Sequence, residues 1–137
     1  MDSKCVELRV PAERSMLLIA RMTTSGIMSR AGMTLDEMDD MKMAIDESCN
    51  LMILQKPACN TLVLRYGYDE DAVEVCIEGE GICEQTEEKD DGMMQEVIRC
   101  ILESIVDEVD IVSRADGGTH KIVLKKKVPI DRRRSAV

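Results

Sequence analysis

The chain has 137 residues and a formal net charge of −9, from 18 lysines and arginines against 27 aspartates and glutamates. A chain of this length fits one domain with a core of its own. The acidic balance argues against a general nucleic-acid binder, because contacts to phosphate need a basic surface. The sequence contains no apolar run of about 18 residues, so no membrane-spanning helix is predicted.

The six cysteines and the single histidine show no metal-ligand spacing and no CxxC pair, so no metal site is expected. We expect reduced thiols that act mostly as small buried hydrophobic residues. The first ten residues lack the apolar segment of a secretion signal. Both observations favour a cytoplasmic protein.

The N-terminal region predicts a strand followed by a helix. Residues 4–10 read as a short strand that Pro11 terminates. From Ala12 to Ala31 the apolar residues follow helical spacing, and Gly32 supplies the end signal. Gly26 weakens this helix from within, and it suggests a site of close packing.

The central helix, Thr34 to Gln55, is the most strongly specified element. Thr34 and Glu37 form a capping box in which each side chain satisfies a backbone N–H group. Its apolar residues recur at steps of three and four, which predicts one buried stripe: Met38, Met41, Ile45, Cys49 and Met52. The polar face carries three residues that are either a site or a solvated surface: Asp46, Glu47 and Asn50.

The second half of the chain predicts two hairpins on either side of a third helix. Residues 61–68 and 73–78 form the first hairpin, and residues 109–114 and 119–128 form the second. Residues 79–92 form a loop long enough to be functional or mobile, and the third helix covers residues 94–105. The order predicts an α/β two-layer sandwich: a mixed, largely antiparallel sheet covered on one face by three helices. Residues 1–130 form a single domain in this interpretation, and residues 131–137 form a basic C-terminal tail.

Several stretches carry a resemblance to a known family. The main one is TSGIMSRAGMTLDEMDDMKMAIDESC, at residues 24–49, and weaker likeness continues in VEVCIEGEG, LESIVDEV and GGTHKIVLKK. The chain resembles the RsbW-type anti-sigma factors, which are serine-protein kinases with the GHKL (Bergerat-like) histidine kinase-like ATPase fold. The resemblance implies that fold for nearly the whole domain.

The resemblance also implies catalytic positions on the central helix. Glu47 matches a family glutamate that is thought to orient the attacking group. The family asparagine that ligates Mg²⁺ falls on Leu51, and a hydrocarbon offers no oxygen to a hard cation. Asn50 is one residue away, which rotates it by roughly 100° around the helix. Glu47 is therefore the candidate catalytic residue, and Asn50 is a displaced candidate for cofactor binding.

The remaining nucleotide positions of the family are also altered. The aspartate that accepts a hydrogen bond from adenine is replaced by Gly79, and the glycine two residues later is Gly81. The glycine-rich phosphate lid keeps only Gly92, among carboxylates that repel a triphosphate. These changes predict a degenerate ATP site with no bound cofactor, and Mg-ATP is the alternative.

The favoured function is protein binding. We interpret the chain as an anti-sigma-factor-like regulator that acts by partner switching, with lost or impaired ATP binding. The resemblance implies a sigma factor or an antagonist protein as partner, and a homodimer as the binding form. One alternative is an ATP-dependent serine-protein kinase with an atypical nucleotide pocket, and another is a degenerate paralogue that only dimerises with an intact relative.

Overall fold

The computed structural model describes residues 4–81 and 92–132. The strands are β1 (Lys4–Pro11), β2 (Thr61–Tyr68), β3 (Ala72–Glu80), β4 (Glu108–Ser113) and β5 (Thr119–Lys127). The helices are α1 (Leu17–Arg30), α2 (Leu35–Leu54) and α3 (Met93–Ile105), with short 3-10 helices at Arg14–Met16 and Ile130–Arg132. The predicted order of elements is confirmed. Residues 82–91 of the predicted loop and 133–137 of the predicted tail lie outside the described residues.

The sheet has the strand order β1-β2-β3-β5-β4. The predicted two-layer sandwich is confirmed, and each of the four pairings in the described sheet is antiparallel, without the parallel pair of a mixed sheet. Helices α1 and α2 lie between β1 and β2 in the sequence. After them the chain re-enters the sheet with Thr61 beside Pro11, the last residue of β1. β4 runs in the same direction as β3, but β5 lies between them and pairs with both.

The core lies between one face of the sheet and the helices. Alternate residues of the three central strands are buried there: Leu62, Leu64, Tyr66, Val73, Val75, Ile77, Ile122 and Leu124. The stripe predicted on α2 is buried at Met41, Ile45, Cys49 and Met52, whereas Met38 is only partly buried, at the edge of the core. Within residues 4–81 and 92–132, no helix has the length and apolar character needed to cross a membrane.

Two expectations about small residues need correction. A Cβ added at Gly26 would have no described atom within 4 Å, so this glycine does not mark a close packing contact among the described residues. Of the cysteines that the structure describes, only Cys49 and Cys59 are buried, whereas Cys5 and Cys100 are exposed and Cys76 is intermediate. Burial raises the pKa of the Cys49 thiol to about 12, which makes it an unreactive core residue.

The N-terminus of α2 is anchored more firmly than the capping box alone would provide. The box is present as predicted: Thr34 N donates to Glu37 Oε1 at 2.8 Å, and Glu37 N donates to Thr34 Oγ1 at 3.2 Å. Arg132, from the predicted basic tail, also donates to both oxygens of Glu37 at 2.7 Å. The end of the described chain is thereby tied to the first turn of the central helix.

Replacing Glu37 by Gln is expected to destabilise the fold near neutral pH. Hydrogen bonds from Arg132, with help from Thr34, lower the pKa of Glu37 from 4.5 to about 2. Because the folded pKa is depressed, this stabilisation is complete above pH 4.5 and is lost as the pH falls towards 2. We expect Glu37→Gln to cost about 1–2 kcal/mol at neutral pH and less at about pH 3. Denaturant unfolding at the two pH values measures both effects.

Asp36→Asn is the matched control, because Asp36 is an exposed carboxylate in the same turn. Equal losses in the two variants would show that the general charge of the first turn is responsible rather than the pair with Arg132.

Candidate functional site

The polar face of α2 borders a cavity next to the start of α3. This cavity has a volume of about 340 Å³, and both Glu47 and Asn50 line it. Its other lining residues are Arg14, Leu51, Leu54, Gln55, Met94 and Ile98. The structure thus brings two of the predicted site residues to one wall, and most of the rest of the lining is apolar.

Asn50 and Leu51 present different chemical groups to this wall of the cavity. Leu51 is only 4% exposed and belongs to the core. The Oδ1 atom of Asn50 is buried and has no hydrogen-bond partner among the described residues. Although roughly 100° separates adjacent helix positions, both side chains reach the cavity because it spans a wide arc of the helix.

A second cavity, also of about 340 Å³, lies where β3 ends and β5 begins. Gly79 and Gly81 line it, together with Gln55, Cys59, Arg114, Thr119 and His120. A Cβ at Gly79 would lie 3.1 Å from both Cys59 Sγ and Met52 Cε. Core side chains therefore press against the position where the family resemblance places an aspartate.

A hydrogen-bonded cluster of Gln55, Gln95 and Thr119 joins the ends of three elements. Gln55 Nε2 donates to the Thr119 carbonyl at 2.9 Å, and Thr119 N donates to Gln55 Oε1 at 2.6 Å. Gln95 Nε2 donates to Thr119 Oγ1 at 2.9 Å. Gln55 and Gln95 are buried, so the cluster connects α2, α3 and β5 in the interior, and Gln55 also lines both cavities.

Sequence reasoning missed this cluster. No motif in the sequence marks Gln55, Gln95 or Thr119 as partners. The one available signal is the presence of a glutamine at the end of one predicted helix and another near the start of the next.

Two of the predicted glycine positions have a backbone explanation. Gly92 is the N-cap residue of α3 with φ of +77°, and Gly81 has φ of +71°. Both angles lie in the left-handed region that side chains disfavour. Within the described part of the chain, Gly92 is not among the residues that line either cavity.

The chemistry available at the first cavity is limited. Glu47 supplies a carboxylate, Asn50 an amide oxygen and Arg14 a cation at a wall that also contains Leu54 and Met94. Within residues 4–81 and 92–132, no group of three or more histidine, cysteine, aspartate or glutamate side chains is arranged to hold a metal ion.

The structure is thus an α/β two-layer sandwich with a cavity beside the polar face of its central helix. The chain is similar to the serine-protein kinase RsbW of Bacillus subtilis (strain 168), with 35% identity over 79 residues, which is 56% of this chain and 49% of that protein. The RsbW proteins of Bacillus velezensis and Bacillus mycoides are 35% and 30% identical over the same shares of both chains. These matches confirm the resemblance to the RsbW-type family.

The chain spans about half the length of the curated relatives it matches. No family model matches it.

Proposed function

We propose that this protein is an anti-sigma-factor-like regulator that acts by binding other proteins, with lost or impaired ATP binding. The likeness to RsbW proteins supports the regulatory class. The fold of five antiparallel strands and three helices supports a GHKL-like domain. One observation that supports impaired ATP binding is the contact of Gln95 with Thr119, because these two side chains occupy part of the space between α3 and β5.

Two further features support impaired nucleotide binding. The resemblance expects a metal ligand at Leu51, but this side chain is apolar and belongs to the core. At Gly79 an aspartate would have to displace Cys59 and Met52. Such a site would lack the family's oxygen ligand for a divalent cation and its hydrogen-bond acceptor for the amino group of adenine.

The second candidate function is an ATP-dependent serine-protein kinase with an atypical pocket. The names of the relatives favour it, and so does the placement of Glu47 and Asn50 at one cavity. In such a kinase, the Oδ1 atom of Asn50, which is buried and has no hydrogen-bond partner among the described residues, would replace the missing oxygen ligand at Leu51.

The proposed partner is a sigma factor or an antagonist protein, and the proposed binding form is a homodimer. Helix α1 offers an apolar outer surface for protein contacts, since Leu18, Ile19 and Met22 are exposed on it. Clusters of this kind on an otherwise charged chain indicate interaction surfaces. We assign partner binding to this surface.

Affinity capture from the source organism, followed by mass spectrometry, tests this function. We expect a sigma factor or its antagonist to be retained by the unaltered protein. Met22→Glu should reduce this binding at least tenfold, because it places a charge in the apolar surface. Val97→Glu is the matched control, since Val97 is also exposed but lies on α3.

The captured partner also distinguishes the two candidate functions. Transfer of phosphate from ATP to a serine of that partner, abolished by Glu47→Gln, would establish the kinase. Capture of neither class of protein would contradict the regulatory function.

A further inference from the structure

We infer that strand β1 is a self-complementary edge, which pairs antiparallel with β1 of a second copy of this chain and sets Leu8 opposite its own copy. This inference rests on the proposed function and deepens it, because it assigns the interface of the proposed homodimer. β1 (Lys4–Pro11) is the outermost strand of the sheet, and within residues 4–81 and 92–132 it pairs only with β2. Its backbone groups on the other side are therefore open to a further strand.

The alternation of hydrogen bonds shows which backbone groups of β1 face the free edge. The hairpin between β2 and β3 closes with Asp69 N donating to the Ala72 carbonyl at 3.1 Å. The odd-numbered residues of β2 therefore bond to β3, and the even-numbered ones bond to β1. Through the register between β1 and β2, the even-numbered residues of β1 bond inside the sheet, so the N–H and C=O groups of Glu7 and Arg9 point outwards. Pro11, which has no N–H group, falls on the same free side, as is usual for proline on an edge strand.

The charges on this edge select one register for the second copy. Placing Glu7 opposite Arg9 creates an attractive charge pair on each side of the two-fold axis. Shifting the second strand by one period sets either Glu7 or Arg9 opposite its own copy, where like charges repel. The side chains of Arg9 and Glu7 are 53% and 48% exposed, so they can reach a second copy although Arg9 also contacts Glu80.

The same register brings apolar side chains together on the helix side of the sheet. Val6 is 41% exposed and Leu8 is only partly buried, although both alternate with the outward-facing charges. In the paired form Leu8 lies opposite its own copy and Val6 lies opposite Val10. These positions make no backbone bonds to each other, and side chains approach most closely there. Pairing therefore removes from water apolar surface that a single chain leaves exposed.

The opposite edge of the sheet lacks this self-complementarity. Strand β4 carries carboxylates at Glu108 and Asp110 and no cation, so pairing with its own copy would offer no attractive charge pair. Joining β1 to β4 would be a head-to-tail contact that leaves a free edge on each copy and does not close. A closed dimer therefore favours β1 against β1.

Sedimentation velocity of the full chain over a wide range of protein concentration tests the interface. The unaltered protein should show a concentration-dependent equilibrium between monomer and dimer. Glu7→Arg and Arg9→Glu should each weaken the dimer by about tenfold, because like charges then face each other on both sides of the axis. Combining the two changes restores both attractive pairs and should regain most of the affinity. Glu103→Arg is the matched control, because Glu103 is an exposed carboxylate on α3, and it should leave the dimer unchanged.

A disulfide cross-link reads the register directly and applies even if a charge variant does not fold. Leu8→Cys places a thiol opposite its own copy, and oxidised glutathione should join the two. Val6→Cys is the matched control, because the register sets this position opposite Val10 rather than its own copy. Mass spectrometry of the digested protein separates these links from those of the native Cys5, which is exposed.

The possible failures can be told apart. A monomer at every concentration would overturn this interface together with the homodimer. A dimer that none of the charge variants weakens, or a Val6→Cys link between copies, would overturn the interface alone, and so would growth into larger assemblies. Partner capture reports on the proposed function separately: a dimer with the expected Leu8→Cys link that retains neither a sigma factor nor an antagonist would contradict that function and leave the β1 pairing intact.

Discussion

Calorimetric titration with Mg·ATP is expected to give no binding heat below about 1 mM nucleotide. The resemblance requires a metal ligand at Leu51 and an adenine acceptor at Gly79, and neither residue offers a side-chain oxygen. Losing one charge-assisted contact typically weakens binding by about 1.5–3 kcal/mol. Two or three such losses move a micromolar site to the millimolar range or beyond.

Two variants separate the possible causes in this titration. Gln95→Ala removes the contact with Thr119 and should still fail to bind, because opening the space restores neither acceptor. Asn50→Ala becomes informative if the unaltered protein does bind. If the unaltered protein binds Mg·ATP with micromolar affinity and Asn50→Ala abolishes this binding, the kinase becomes the favoured function, with Asn50 as the substitute Mg²⁺ ligand.

Restoring the family residue at position 79 is a poor positive control. An aspartate there would meet Cys59 Sγ and Met52 Cε at its Cβ atom. Gly79→Asp should therefore be combined with Cys59→Ala, which removes the sulfur atom. Met52 ends in a flexible thioether and can adjust.

Replacing Ile45 by Asp is expected to unfold the protein or to lower its stability by several kcal/mol. Ile45 is 0% exposed at the centre of α2, so the carboxylate would be buried in an aliphatic core, and none of the buried residues that the structure describes is a cation. Circular dichroism with thermal unfolding measures the effect. Met43→Asp is the control, because Met43 lies two residues away on α2 and is 51% exposed.

The control should change the free energy of unfolding by less than about 1 kcal/mol, as is usual for exposed positions. Similar melting temperatures for Ile45→Asp and the parent would contradict the assignment of this helix face to the core. A large loss in Met43→Asp would indicate that the outer face of α2 is covered, for example in a homodimer.

The helices and strands could be predicted because their signals are local. The capping box of Thr34 and Glu37 and the apolar stripe through Ile45 depend on residues a few positions apart. The exact ends of the strands were harder to predict. Strand β3 continues to Glu80, into residues predicted to be a loop, because Thr61 on β2 pairs with Glu80.

The candidate site was only partly predictable. The family resemblance led to Glu47, Asn50 and Gly79, and the structure places the first two at a common cavity. It did not indicate Gln95 or Thr119, because their contact joins positions 24 residues apart. Nor could it indicate that Arg132 reaches Glu37, since 95 positions separate these residues.

The amino-acid sequence predicts the element order, the buried stripe of α2 and the lack of side-chain oxygens at Leu51 and Gly79. These properties depend on residue chemistry and on the periodicity of single elements. The tertiary structure was needed to show that β5 lies between β3 and β4, that Gln95 contacts Thr119, and that Arg132 reaches Glu37. These features are contacts between distant segments, and their energies depend on which groups packing brings together and removes from water.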